Sequence, residues 1–174
     1  MPRFVRRLLV VLTATFALLV PGSAAFAATT AQRLIVLASW TQPTAASYNA
    51  WNDARLDRSP WRSYRFDWST DYCTAAPERP LGYDFRIACW HHDFGYRNYH
   101  ALHRFAANKD RLDTMFYADL RRVCATYRLR LQPACYTLAW TYYEAVHIFG
   151  SLAVSMSDLD GVQRVMATPA SART

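Results

Sequence analysis

The stretch Cys89-Trp90-His91-His92-Asp93-Phe94-Gly95-Tyr96-Arg97-Asn98-Tyr99 concentrates groups that can move a proton or hold a cation. On an α-helix, Cys89, His92, Asp93 and Tyr96 stand at i, i+3, i+4 and i+7, and so share one face. His91 lies about 200° from Cys89 on the same wheel and points elsewhere. A second segment repeats the pattern, with Asp113, Phe116, Tyr117, Leu120 and Cys124 at i, i+3, i+4, i+7 and i+11. Two antiparallel helices joined near residues 104–109 would bring Asp113 to an imidazole nitrogen of His92. A histidine paired with a buried carboxylate has a fixed tautomer and orientation, which suits a general base.

Asp93 remains, as does Asp71, two residues before Cys73. A Cys73–Cys89 bridge would tie the loop carrying Asp71 to the helix carrying Asp93, one turn beyond Cys89. Two carboxylates with loop backbone carbonyls make a hard-oxygen site suited to Ca²⁺, bound weakly because so few protein ligands contribute. A zinc reading fails twice: no Cys-x-x-Cys occurs, and His91, His92 and Asp93 diverge by about 100° per residue on a helix. His100 and His103 continue the His92 face and read as surface histidines. The aromatics Tyr96, Phe116 and Tyr117 read as core.

The elements that must position these groups are helical. Apolar spacing predicts two short N-terminal helices, around Leu34–Ala38 and over Pro43–Arg55, and a further helix start at Ser59-Pro60-Trp61. Phe66 to Gly82 reads as a structured loop, and Asp84 to about Phe105 as a long helix. Asn108 is placed to cap the next helix, to about Tyr127, and Pro133 opens a last one through His147. No sustained alternation marks a strand. The expected fold is all-α: a small disulfide-stapled domain whose two long antiparallel helices carry the site.

The chain has 174 residues, 52% of them hydrophobic and 15% aromatic, which excludes wholesale disorder. Arg3, Arg6 and Arg7, the apolar run Leu8–Val20 and the ending Ala25-Phe26-Ala27 read as a secretory signal peptide over residues 1–27. The domain is expected over 28–150. A C-terminal extension over 151–174 should be helical at most to about Ser157 and flexible beyond. Without the leader, 17 basic residues face 13 acidic ones, a net +4 that suits an anionic surface. Basic residues are almost all arginine; Lys109 is the single lysine and reads as compositional bias. No run of five like charges marks a nucleic-acid tail. Export implies oxidation, and of three possible cysteine connectivities the local one, Cys73–Cys89 with Cys124–Cys135, is expected.

The segments Phe66-Asp67-Trp68-Ser69-Thr70-Asp71-Tyr72-Cys73-Thr74, Ala88-Cys89 and His92-Asp93-Phe94-Gly95-Tyr96-Arg97-Asn98-Tyr99 carry a resemblance. So do Ala107-Asn108-Lys109, Phe116-Tyr117, Arg122-Val123-Cys124 and Ala139-Trp140-Thr141-Tyr142-Tyr143. Over about Gln32–Gly150 the chain resembles secreted phospholipases A2 of the bacterial and fungal type, closely the small actinomycete enzymes. The resemblance implies calcium-dependent hydrolysis of the sn-2 ester of glycerophospholipids at a membrane or micelle surface, by an extracellular monomer with no nucleic-acid partner. It implies His92 as general base, Asp113 as its partner, and Asp71, the Tyr72 carbonyl and Asp93 as calcium ligands. The two local disulfides match as well. One departure is His91, where the actinomycete enzymes have arginine, a change that bears on local electrostatics and lipid contact. Trp40, Trp51, Trp61, Trp68 and Trp90 include candidates for a bilayer contact, core packing being the default for most. The alternative reading is a catalytically silent membrane-binding or calcium-dependent adhesion module on the same scaffold.

Overall fold

The hydroxyl of Thr29 accepts from the Gln32 amide at 3.2 Å, and Gln32 Oε1 accepts from the Thr29 amide at 2.8 Å. This reciprocal cap opens helix α1, Thr30–Trp40. Thr44 caps α2, Ala45–Leu56, through the Ser47 amide, so the helix begins after Pro43 and not at it. A 3-10 turn follows at Ser59–Tyr64, with Pro60 inside its first turn. The computed structural model describes residues 27–74 and 76–167, with side chains through Gly150. The expected leader therefore lies outside the described residues except for Ala27.

The loop after Phe66 is interrupted by a 3-10 turn at Pro80–Gly82. Helix α3 spans Arg86–Ala101 and α4 spans Lys109–Ala125. α3 is shorter than its apolar pattern suggested. His103 adopts a left-handed φ of 53°, and the Arg104 amide folds back onto the Tyr99 carbonyl at 2.9 Å, which ends the helix. Asn108 occupies the N-cap position of α4 without capping it; its side chain instead joins the Arg104 carbonyl and Arg111. A short 3-10 turn at Leu129–Leu131 leads into α5, Gln132–Ala167. That helix runs past the expected stop near Ser157; residues 168–174, where the flexible tail was also expected, lie outside the described residues.

Contacts set the topology. His91 meets Asp119 while Tyr96 meets Asp113, so α3 and α4 run antiparallel. Lys109 meets His147 while Cys124 bonds Cys135, so α4 and α5 do too. Gly95 allows the close approach of α3 to α4, since a Cβ there would lie 2.6 Å from Leu112 Cδ2. One core layer joins Leu37, Trp40, Trp51, Phe66, Phe94, Leu112 and Met115. The other packs Phe85, Ala88, Phe116, Leu120 and Ala139 around the disulfides. Both bridges are local, Cys73–Cys89 and Cys124–Cys135. Closing 16 and 11 residues constrains the unfolded chain by about 3 kcal/mol each in the entropic account. No strand occurs among the described residues, and none of their helices is long and apolar enough to cross a membrane.

Candidate active site

Helices α3 and α4 bring His92 and Asp113 together. His92 Nε2 lies 3.1 Å from Asp113 Oδ1, with the imidazole 9% exposed and the carboxylate fully buried. Donation from Nε2 leaves a lone pair on Nδ1, as a general base requires. Burial lowers the His92 pKa below the ordinary histidine value, against the pull of Asp113, so the ring is neutral at neutral pH. Tyr96 Oη also donates to Asp113 Oδ1, at 2.5 Å, and Lys109 Nζ donates to Asp113 Oδ2 at 2.6 Å. Burial pushes the Asp113 carboxyl up, but the bonds from His92, Lys109 and Tyr96 outweigh it and hold the net value below the usual range. Burial and Asp113 both raise the Tyr96 phenol, which stays protonated as a donor. Tyr96 and Phe116 pack on the imidazole, with ring centroids 4.0 and 4.6 Å away.

The Cys73–Cys89 bridge sets the 70–73 loop beside Asp93. Thr70 Oγ1 donates to Asp93 Oδ2 at 2.6 Å, and the Asp71 amide approaches the same oxygen at 3.2 Å. Tyr72 holds the loop in a left-handed conformation, φ 58°, a strained state for a non-glycine residue. Asp71 accepts from Thr74 and from the Arg97 guanidinium, which lies 4.0 Å from Asp93. Burial raises the Asp71 carboxyl, yet the Thr74 and Arg97 contacts outweigh it and leave it lowered. Asp93 is pushed up to about 7, chiefly by burial and further by neighbouring Asp71. The donors here are hard oxygens, and the crowded carboxylates carry an unfavourable charge that a divalent cation relieves. Oxygen donors of this kind are the chemistry Ca²⁺ takes, with the Arg97 guanidinium now holding the Asp71 oxygen that a cation would take over.

His91 is not a surface group. It is fully buried and stacked on Trp51 at 4.1 Å between ring centroids. Its Nδ1 faces Asp119 Oδ2 at 2.6 Å and its Nε2 faces the Trp40 carbonyl at 2.9 Å. Both ring nitrogens are taken up by these buried oxygens, so neither faces a space from which it could take a proton from water. Lipid contact at this position is excluded by burial. Asp119 also pairs with Arg122, which reaches the Pro43 carbonyl. This second His–Asp pair ties α3 to α1 and α4. Asp119 and Arg122 line an open cleft of about 620 Å³ beside Tyr72 and Trp90; neither His92 nor Asp113 does.

Trp40 and Trp51 are core, and Trp61, Trp68 and Trp90 are partly buried against it. Trp140, half exposed beside Tyr117 and Tyr143, is the exposed tryptophan among the described residues. Asp84 forms ion pairs with Arg86 and Arg79, and its carboxyl is lowered to about 2, mainly by Arg86. Asp110, Asp113 and His147 hold ligand atoms within 4.8 Å of one another, but the Lys109 ammonium already occupies the Asp113 oxygen that faces His147.

A family model for prokaryotic phospholipase A2 matches residues 43–150, the segment holding the His92–Asp113 pair, the 70–73 loop and both disulfides. The chain belongs to the prokaryotic phospholipase A2 family. Among curated proteins it is 42% identical over 88 residues to the secretory phospholipase A2 of Beauveria bassiana, covering 50% of this chain and 45% of that one. It is 44% identical over 62 residues to the secretory phospholipase A2 of Arthroderma benhamiae, covering 35% and 42%. The matched segments thus span less than half the length of these relatives. Within this phospholipase A2 domain, the residue that helix phasing missed is Lys109. Its i,i+4 spacing to Asp113 and its place in Ala107-Asn108-Lys109 were signals in the sequence; what the sequence did not carry was the pair of α5 carbonyls that complete its burial.

Proposed function

We propose that this chain is a secreted, calcium-dependent phospholipase A2 whose domain over residues 28–150 hydrolyses the sn-2 ester of glycerophospholipids to a lysophospholipid and a fatty acid. The observation that carries the reading is the buried His92–Asp113 pair, with Nδ1 of His92 free of any protein partner among the described residues. Neutral His92 takes a proton from water through Nδ1 as the water oxygen attacks the ester carbonyl. Asp113 holds the ring in the tautomer that leaves Nδ1 unprotonated and stabilises the imidazolium that forms. The same proton then passes from Nδ1 to the departing glycerol oxygen. No side-chain nucleophile is required.

Asp71, the Tyr72 carbonyl and Asp93 would hold the calcium, which when bound polarises the carbonyl, stabilises the oxyanion and neutralises the phosphate. The names of the fungal relatives support secretion, and so does the sequence of residues 1–27, with its arginines, apolar run and Ala25-Phe26-Ala27 ending. The substrate surface is a phospholipid membrane or micelle, met by a monomer. Fatty-acid release from phosphatidylcholine vesicles tests the reading, with and without chelator, for the native protein and His92→Asn. Release that depends on calcium and on His92 is expected. Vesicle binding without release would instead identify a silent membrane-binding module.

A further inference from the structure

We propose that Lys109 is a positioning residue for the hydrolysis, and that α5 between Val146 and Gly150 holds the catalytic carboxylate through it. The inference rests on the reading of His92 and Asp113 as the base and its partner. Lys109 is the chain's single lysine and is 8% exposed at the first turn of α4. Its ammonium has three protons and meets three oxygens: Asp113 Oδ2 at 2.6 Å, the His147 carbonyl at 3.0 Å and the Val146 carbonyl at 3.2 Å. A buried charge is tolerated when it is paired and fully hydrogen-bonded, and this one is. A planar guanidinium would not match that three-way arrangement, which accounts for lysine here in a chain that otherwise uses arginine.

Asp113 is held at both ends. Oδ1 takes His92 and Tyr96, and Oδ2 takes Lys109. His147 is 3.7 Å from Oδ2, beyond hydrogen-bond distance, and does not replace the lysine. Without Lys109 the carboxylate is held at Oδ1 alone and can pivot about those two bonds, which loosens the direction of the imidazole that points at Oδ1. The second support converges on the same helix. A Cβ on Gly150 would lie 2.7 Å from Tyr96 Oη, the atom that bonds Asp113. α5 therefore touches both side chains that anchor the carboxylate, one through backbone carbonyls and one through the missing side chain of a glycine.

The test uses the full chain with saturating calcium and dispersed short-chain phosphatidylcholine, comparing Lys109→Met, Lys109→Gln, Lys109→Arg and Gly150→Ala, with His92→Asn as reference. Lys109→Met should lower kcat by roughly ten- to hundredfold, the scale of a misplaced catalytic group, while KM stays within about twofold. Calcium affinity by calorimetry should not change. The ¹⁵N imidazole spectrum should show one His92 tautomer in the native protein and a mixture in the variant. Lys109→Gln, which keeps a donor, should retain more kcat than Lys109→Met. Gly150→Ala leaves Lys109 intact and should lower kcat by displacing Tyr96. If Lys109→Met does not fold, Lys109→Arg decides, because a planar guanidinium keeps the charge without the three-way arrangement: a lowered kcat is expected, and a native kcat with one His92 tautomer overturns the proposal. A fall in melting temperature with native kcat and a single His92 tautomer would reduce Lys109 to a clamp between helices and also overturn it. Retained activity in His92→Asn is a different failure, that of the underlying assignment.

Discussion

His91 and His92 are adjacent, each bonded to an aspartate of α4, yet substituting them should have opposite effects. His91→Ala removes a bond to Asp119 Oδ2, a bond to the Trp40 carbonyl and the stack on Trp51. A lost hydrogen bond to a charged group costs about 1.5–3 kcal/mol, and a lost aromatic contact about 0.5–1.5 kcal/mol. The site is fully buried, so a cavity adds to this and the total is about 3–5 kcal/mol, like that of other large buried side chains. For a domain of this size the melting temperature should fall by about 10–20 °C. At 25 °C the folded fraction should keep kcat within a few-fold, because the pair makes no bond to His92 or Asp113. His91→Arg crowds the same closed slot and should cost about 1–3 kcal/mol by overpacking. His92→Asn should do the reverse. Asp113 keeps Tyr96 and Lys109, so the buried carboxylate is not orphaned and melting should move by about 5 °C or less. The base is gone, and kcat should fall by about 10²–10⁴. Melting curves and fatty-acid release on the same samples decide it. A hundredfold loss of kcat in folded His91→Ala, or native kcat in His92→Asn, would show that the two pairs have been assigned the wrong way round.

Calcium binding should release a proton: with the Asp93 carboxyl held near 7, apparent affinity should weaken by about tenfold per pH unit below that value, as calorimetry in buffers of different ionisation enthalpy will show. The linkage sign follows, since folded Asp93 keeps its proton where the unfolded carboxylate has lost it. Without calcium, stability should therefore fall as pH rises from about 4 to about 7, and the rise in melting temperature on adding calcium should be larger at pH 8 than at pH 5. Asp71→Asn and Asp93→Asn should both raise the calcium requirement, but only Asp93→Asn should raise the calcium-free melting temperature at pH 8, because its carboxylate is 15% exposed and that of Asp71 53%. Replacing Cys124 and Cys135 by serine should cost about 3 kcal/mol with calcium affinity unchanged, whereas replacing Cys73 and Cys89 should also weaken calcium by releasing the Asp71 loop.

Much of the site is local in the chain and was legible from it. Cys89, His92, Asp93 and Tyr96 share a helical face because a 3.6-residue repeat puts them there. The same repeat phases Asp113 with Cys124, and local disulfides set the helices' ends. The all-α class and the pairing of His92 with Asp113 follow from those periodicities. What the repeat does not encode is what approaches from elsewhere. His91 was correctly turned away from the His92 face, but nothing in its neighbours said that Trp51, Trp40 and Asp119, from three other helices, would enclose it. α3 ended before its apolar pattern did, because a left-handed turn at His103 ended it. α5 continued beyond its aromatic stripe, to Ala167. Lys109 reaches Asp113 within α4, but its other two partners, the Val146 and His147 carbonyls, and the approach of Gly150 to Tyr96 came only when α5 packed against α4. The sequence by itself determined which groups share a helix face and which could carry the chemistry. Tertiary packing decided which charges are buried and what holds them, because desolvation and hydrogen-bond partners depend on neighbours distant in the chain.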